Sequence, residues 1–134
     1  MLQGKIYNPN DEEILSLRNK AHALCAKFNK IEDDNDINRK LIIDELIPHN
    51  NLYLQGPVYF DYGINTHLGK NCYANFNFTV LDICSINIGD NVVIAAGSVV
   101  THNIPSNTLL AGNPCKVIRN ITKEDSIYLK KELF

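Results

Sequence analysis

Apolar residues in the first third of the chain recur at helical intervals. Ile14, Leu17, Ala21, Leu24 and Phe28 are spaced 3, 4, 3 and 4 apart, one stripe of an amphipathic helix. Asn10 or Asp11 stands where a cap is needed, and Glu12 and Glu13 suit the positive first turn. The polar run Glu32-Asp33-Asp34-Asn35 interrupts the stripe. The pattern predicts a second helix from near Asp36, burying Ile37, Leu41 and Leu46 and stopping before Pro48. After residue 56 the helical period disappears. Steps of six give Leu68, Ala74, Val80 and Ile86, and Cys72, Phe78 and Cys84 follow the first three by four residues. The frame then slips by two and resumes at Ile88, Ile94 and Val100, with Val92, Ser98 and Ile104 at the fourth-following positions. This is a hexapeptide repeat.

Such a repeat predicts a parallel β-helix. Each hexapeptide makes a short strand and a turn, and three close a triangular coil of about 18 residues. The aliphatic residue points into the prism, and neighbouring coils pair their strands. Gly69, Gly89 and Gly97 are expected at corners for their freedom at positive φ, and Asn71, Asn75, Asn77 and Asn91 suit corners too. An antiparallel sandwich would want period-two alternation and Asn-Gly hairpins, and neither occurs. The fold class is mainly β, a short β-helix of about three coils from roughly 57 to 105. A helical cap region (1–55) precedes the repeat and tail (56–134). In the tail, Ile104 to Asn107 reads as a turn, Thr108 to Leu110 as a strand and Ala111 to Pro114 as a loop. Thr122 with Asp125 reads as a capping-box start to a short C-terminal helix.

Composition narrows the function. The 134 residues are 45% hydrophobic and 21% charged, ordinary for a soluble globular domain. Thirteen Lys+Arg against fifteen Asp+Glu give a net charge of −2, which argues against a nucleic-acid binder working through a basic surface. No apolar run approaches the length of a membrane span, and Met1 to Lys5 is not followed by the apolar core of a signal peptide. Cys25, Cys72, Cys84 and Cys115 form no C-x-x-C and no zinc-type spacing with histidine, so no metal is expected. Buried reduced thiols in a cytoplasmic protein are the expectation.

Several stretches together resemble the maltose/galactoside O-acetyltransferases, hexapeptide-repeat enzymes that move an acetyl group from acetyl-CoA to a sugar hydroxyl. They are Tyr59-Phe60-Asp61-Tyr62-Gly63, Leu68 to Asn77 with its Tyr-Ala-Asn-Phe-Asn run, Leu81-Asp82, Ile88-Gly89-Asp90-Asn91, Ala95 to Thr101, Ile104 to Asn107 and Ala111 to Ile118. The N-terminal helices, opening with Gly4-Lys5-Ile6-Tyr7, are similar to the family's cap. The resemblance implies a left-handed β-helix, against the usual right-handed crossover. It also implies a homotrimer with active sites between subunits. It places Asn75 and Asp82 at positions that contact the acceptor sugar and set the active-site geometry, and Asp61 and Tyr73 at acceptor positions. Thr101, Lys116 and Arg119 fall where the family holds the CoA end of acetyl-CoA, and cations suit its phosphates. The same Asn and Asp types also satisfy backbone groups at turns.

One departure matters. In the family the coil opened by the first Ile-Gly-Asp-Asn runs on to a His-Pro pair whose histidine is the general base. Here Ile88-Gly89-Asp90-Asn91 passes directly into a stretch similar to the last coil. About three coils are missing, the His-Pro pair with them, and a join between two copies of one tetrapeptide keeps the repeat in phase. Of the four histidines, His22, His49 and His67 read as surface residues; His102, after Thr101, is the substitute base. The expected function is acetyl-CoA-dependent sugar O-acetyl transfer, weak or absent for want of that base. The alternative is a catalytically silent oligomeric scaffold.

Overall fold

The computed structural model describes residues 8–125. Two helices, α1 (Glu12–Asn29) and α2 (Ile37–Leu46), precede ten short strands. The Asp11 carboxylate caps α1 by accepting the N–H groups of Glu13 and Ile14 at 3.0 and 3.3 Å. The helix buries Ala21, Leu24, Cys25 and Phe28. Asp36 caps α2 through the Asn38 N–H at 2.8 Å. The buried face of α2 differs from the expected one. Arg39, Ile43 and Leu46 point inward, while Ile37 and Leu41 are 67% and 57% exposed. The phase is hidden in the sequence because its first inward residue is charged. Arg39 can be buried because its guanidinium pairs with Asp34, donates to the Leu54 and Gln55 carbonyls at 3.4 and 2.7 Å, and lies 4.3 Å from the Phe28 ring centroid.

The strands are β1 (Leu52–Leu54), β2 (Val58–Phe60), β3 (Thr66–Leu68), β4 (Cys72–Ala74), β5 (Phe78–Val80), β6 (Ile86–Ile88), β7 (Val93–Ile94), β8 (Val99–Val100), β9 (Thr108–Ala111) and β10 (Lys116–Asn120). They form the three faces of a prism. One sheet runs β1-β4-β7-β9-β10, the second β2-β5-β8 and the third β3-β6, which an Ile88–Ile104 bridge extends. Every pairing is parallel except β9 with β10. Because β1 already pairs with β4, the first coil begins at residue 52, ahead of the boundary expected at 56.

The coil is not the uniform one expected. Stacked positions lie 20 residues apart in the first steps, as between Asn51 and Asn71, and 16 apart in the last, as between Asn91 and Asn107. The difference sits at one corner. Residues 61–65 and 81–85 connect the second sheet to the third in the first two coils, and only 101–103 do so in the last. The frame slip between Ile86 and Ile88 is the sequence trace of that long corner.

Ala74, Val80, Ile88, Ile94 and Val100 fill the prism as expected, while Leu68 is only half-buried. Cys72, Phe78, Val92, Ser98 and Ile104 join them, and Cys84, displaced into the long corner, does not. Asn71, Asn91 and Asn107 take φ of 57°, 53° and 59° and bond into a ladder, Asn71 to Asn91 at 3.4 Å and Asn91 to Asn107 at 2.9 Å. Asn77 and Gly97 also have positive φ, but Asn75, Gly69 and Gly89 do not. These two glycines are needed for space. A Cβ on Gly89 would lie 2.3 Å from Ser106 Oγ and 2.5 Å from its backbone nitrogen. Gly89→Ala is therefore expected to cost about 1–3 kcal/mol, read as a lowered urea midpoint.

Strand β10 was not expected from the sequence. Beyond it, Asp125 Oδ2 accepts the Thr122 N–H at 2.8 Å and the Asp125 N–H returns to the Thr122 carbonyl at 3.0 Å, around a single 3-10 turn, Lys123–Asp125. The rest of the expected C-terminal helix lies outside the described residues, as does Gly4 to Tyr7.

Candidate functional site

Helix α1 packs along the free edge of β2, the end strand of its sheet, and Asn29 fixes the contact. Its amide donates to the Val58 carbonyl at 2.9 Å and accepts the Val58 N–H at 2.8 Å. Alternation along β2 and β5 sends Val58, Phe60, Phe78 and Val80 inward and leaves Tyr59 and Thr79 facing outward. Between this face and α1 lies a cavity of about 350 Å³, lined by His22, Cys25, Ala26, Asn29, Tyr59, Phe60, Asp61, Thr79 and Leu81. That is large enough for a small ligand.

Asp61 follows β2 directly and is half-buried at the cavity wall. Its N–H donates to the Val80 carbonyl at 3.3 Å, and its carboxylate oxygens accept no hydrogen bond from the described residues. Burial pushes the carboxyl above the usual carboxylate range, while the charges of His22 and Arg18 pull it back. His22 is exposed, as the sequence predicts, and also lines this cavity. A second stripe, Arg18, His22, Cys25 and Asn29 at spacings 4, 3 and 4, lies beside the apolar one and was the signal available.

Asp82 faces the other way. It was expected to contact the acceptor, but its side chain is fully buried. Oδ1 accepts the Tyr62 N–H at 2.8 Å and Oδ2 accepts the Thr66 hydroxyl at 3.0 Å, while its carbonyl accepts the Asn65 amide at 2.9 Å. Burial raises its pKa, and the Tyr62 and Thr66 donors oppose the rise. Asp82 therefore ties its own long corner to that of the preceding coil, where Asp61 sits, and has no open face for a ligand.

Asn75 lies at the opposite end of β5 from the Asp61 corner. Its Oδ1 accepts the Phe76 N–H at 2.8 Å. Tyr73 is outward on β4, in register with Tyr53 and Val93. Neither lines the cavity beside Asp61. His102 is exposed in the short corner, with Nδ1 3.2 Å from Thr101 Oγ1. It follows Val100, which pairs with Val80, so it lies one rung beyond Asp82, whose carboxylate points to the rung before.

At the last coil the Cys115 N–H donates to the Val99 carbonyl at 2.9 Å and the Val99 N–H to the Gly112 carbonyl at 3.0 Å, which brings Lys116 beside the Thr101 end of β8. Lys116 and Arg119 are exposed on β10. Arg119 was expected to be open to phosphate, but Asp125 grips both its arms at 2.9 and 2.8 Å and raises its pKa further. Among the described residues no group of His, Cys, Asp and Glu has the arrangement of a metal site.

Residues 1–49 match the maltose acetyltransferase hexapeptide capping motif. A Saccharomyces cerevisiae protein bearing an acetyltransferase name is 30% identical, over 94% of this chain and 93% of its own length. The chain belongs to the maltose/galactoside O-acetyltransferase family. Escherichia coli galactoside O-acetyltransferase is 29% identical over 96% of this chain and 91% of its own. Among solved structures, a galactoside acetyltransferase in complex with coenzyme A superposes with a TM-score of 0.65 at 28% identity, covering 92% of this chain and 90% of that one. A Clostridium difficile maltose O-acetyltransferase gives 0.54 at 28% identity, covering 91% and 95%. The left-handed winding goes with membership of this hexapeptide-repeat family. The alignments to the yeast and E. coli relatives extend over 183 and 185 positions, more than the 134 residues of this chain. Those family members thus carry residues without counterpart here.

Proposed function

We propose that this maltose/galactoside-type acetyltransferase retains the acceptor and cofactor ends of an acetyl-CoA:sugar O-acetyltransferase and has lost most of its transfer rate. The observation that carries this is an alignment longer than the chain that still covers 94–96% of it. On this reading the stretch without counterpart includes the family's His-Pro pair, a dipeptide that this sequence does not contain. Asp61 and the cavity beside it take the sugar. Thr101 and Lys116 hold the CoA end, with Arg119 once a phosphate displaces Asp125, since an exposed ion pair exchanges readily. A homotrimer belongs to the same reading. Tyr53, 79% exposed, with outward Tyr59, Leu81 and Ile118 leaves apolar surface for other copies to cover. So does a cytoplasmic setting, where the free thiols fit a reducing compartment and acetyl-CoA is at hand.

The second reading is a silent oligomeric scaffold, favoured by the inward turn of Asp82 and the isolation of His102. Thiol release from acetyl-CoA with a panel of glycosides separates the two. The expected rate is about 10²- to 10⁴-fold below that of a full-length galactoside acetyltransferase assayed alongside, with His102→Ala unchanged. A rate equal to the full-length enzyme would overturn the first reading, and sedimentation at a single chain's mass at micromolar concentration would overturn the trimer.

A further inference from the structure

We propose that His22, which lines the α1–β2 cavity together with Asp61, is the general base for whatever acetyl transfer this chain performs. The inference rests on the acceptor reading given above and adds the residue that moves the proton.

The argument is geometric. Missing from the chain is a histidine beside a bound hydroxyl, with a group behind it to orient the ring. His102, exposed as His22 also is, has among the described residues only the neighbouring Thr101 hydroxyl within hydrogen-bonding reach. His22 lines a cavity of about 350 Å³ together with Asp61. The two come from elements whose relative position is locked, since Asn29 bonds Val58 in both directions and Asp61 follows β2 without a break. The Asp61 oxygens have no hydrogen-bond donor among the described residues, so they are available to an imidazole N–H or to an acceptor hydroxyl. Tyr59 gives a sugar ring an aromatic wall at the same cavity. The other charged group acting on Asp61 is Arg18, one helical turn before His22, and the remaining titratable lining group is Cys25, whose thiol is pushed up by burial and stays protonated.

The step balances with the substrates of the family reaction. The acceptor oxygen attacks the thioester carbonyl carbon, its proton passes to the His22 ring, the new C–O bond forms and the C–S bond breaks. The His22 proton then goes to the departing CoA thiolate, giving CoA–SH and the acetylated sugar. Asp61 is the positioning residue and does not change its own protonation.

The test uses the full chain, acetyl-CoA, and a methyl galactoside or maltose as acceptor. His22→Gln should lower the remaining turnover by at least about 100-fold while the glycoside still binds by isothermal titration, and His102→Ala should leave turnover unchanged. Asp61→Asn should alter the pH profile of kcat/KM, and Asp61→Glu should recover part of the rate. In a carbon-13 carboxyl titration, Asp61 should titrate at higher pH in His22→Gln than in the native chain, because a neighbouring cation has gone. Turnover that survives His22→Gln, or an Asp61 titration indifferent to it, overturns the inference. No detectable transfer by the native chain overturns it too, yet leaves the family reading in place. Fast transfer that depends on His22 supports the inference and overturns the claim of a slow enzyme.

Discussion

Ile94→Asp is expected to leave no cooperatively folded protein. Ile94 is fully buried, in register with Ala74 on one side and Leu110 on the other. A carboxylate there would stand among aliphatic side chains with no donor to pair it. The cost is about 4 kcal/mol or more, against a total stability of about 5–15 kcal/mol for a domain of this kind. The short stack makes the site less forgiving, because each coil is stabilised by its neighbours and few are present. Far-UV circular dichroism through a urea titration reads the outcome. Leu41→Asp is the control, since Leu41 is 57% exposed on α2 and should move the midpoint little. A native-like transition for Ile94→Asp would refute the placement of this side chain inside the prism.

Asp82 provides the second large effect, and its substitutions separate a structural role from a chemical one. Asp82→Ala strands the buried Tyr62 N–H and the Thr66 hydroxyl and opens a void, at about 2–5 kcal/mol. Asp82→Asn should cost little at neutral pH. Its Oδ1 keeps the Tyr62 donor, and its Nδ2 can donate to a Thr66 hydroxyl that turns from donor to acceptor. Were Asp82 a sugar contact, Asp82→Asn would lose glycoside affinity at unchanged stability. The pH dependence has a definite sign. Burial raises the Asp82 carboxyl in the folded chain, so the native state holds this proton more tightly than the unfolded chain does. The resulting stabilisation is fully present below the unfolded carboxylate pKa of about 3.9 and is lost as pH rises through the raised folded value. The native chain should therefore lose stability relative to Asp82→Asn as pH climbs through that window.

Local rules made much of this molecule legible from residue order. The α1 stripe from Ile14 to Phe28, the Asp11 and Asp36 caps and the inward ladder from Ala74 to Val100 depend only on periodicity and capping, which neighbours along the chain settle. The repeat also announced the prism, since few other folds bury one residue in six. Other features required contacts between distant residues. Arg39 replaced Leu41 on the buried face because carbonyls of β1 and the loop after it, together with Asp34, were there to receive a guanidinium. Gly69 and Gly89 proved to be spacing residues, and the spacing is set by Asp90 and Ser106 one coil away. For the candidate site the division is sharper. Family likeness marked Asp61 and Asp82 alike, and both are corner aspartates to a local rule. Only the stacking of coils turned one carboxylate inward onto Tyr62 and Thr66, and only the seat of α1 on β2 brought His22 to the cavity beside the other. Side-chain direction at a corner is chosen by which rung offers a hydrogen-bond donor, and that donor lies 20 residues away in the chain.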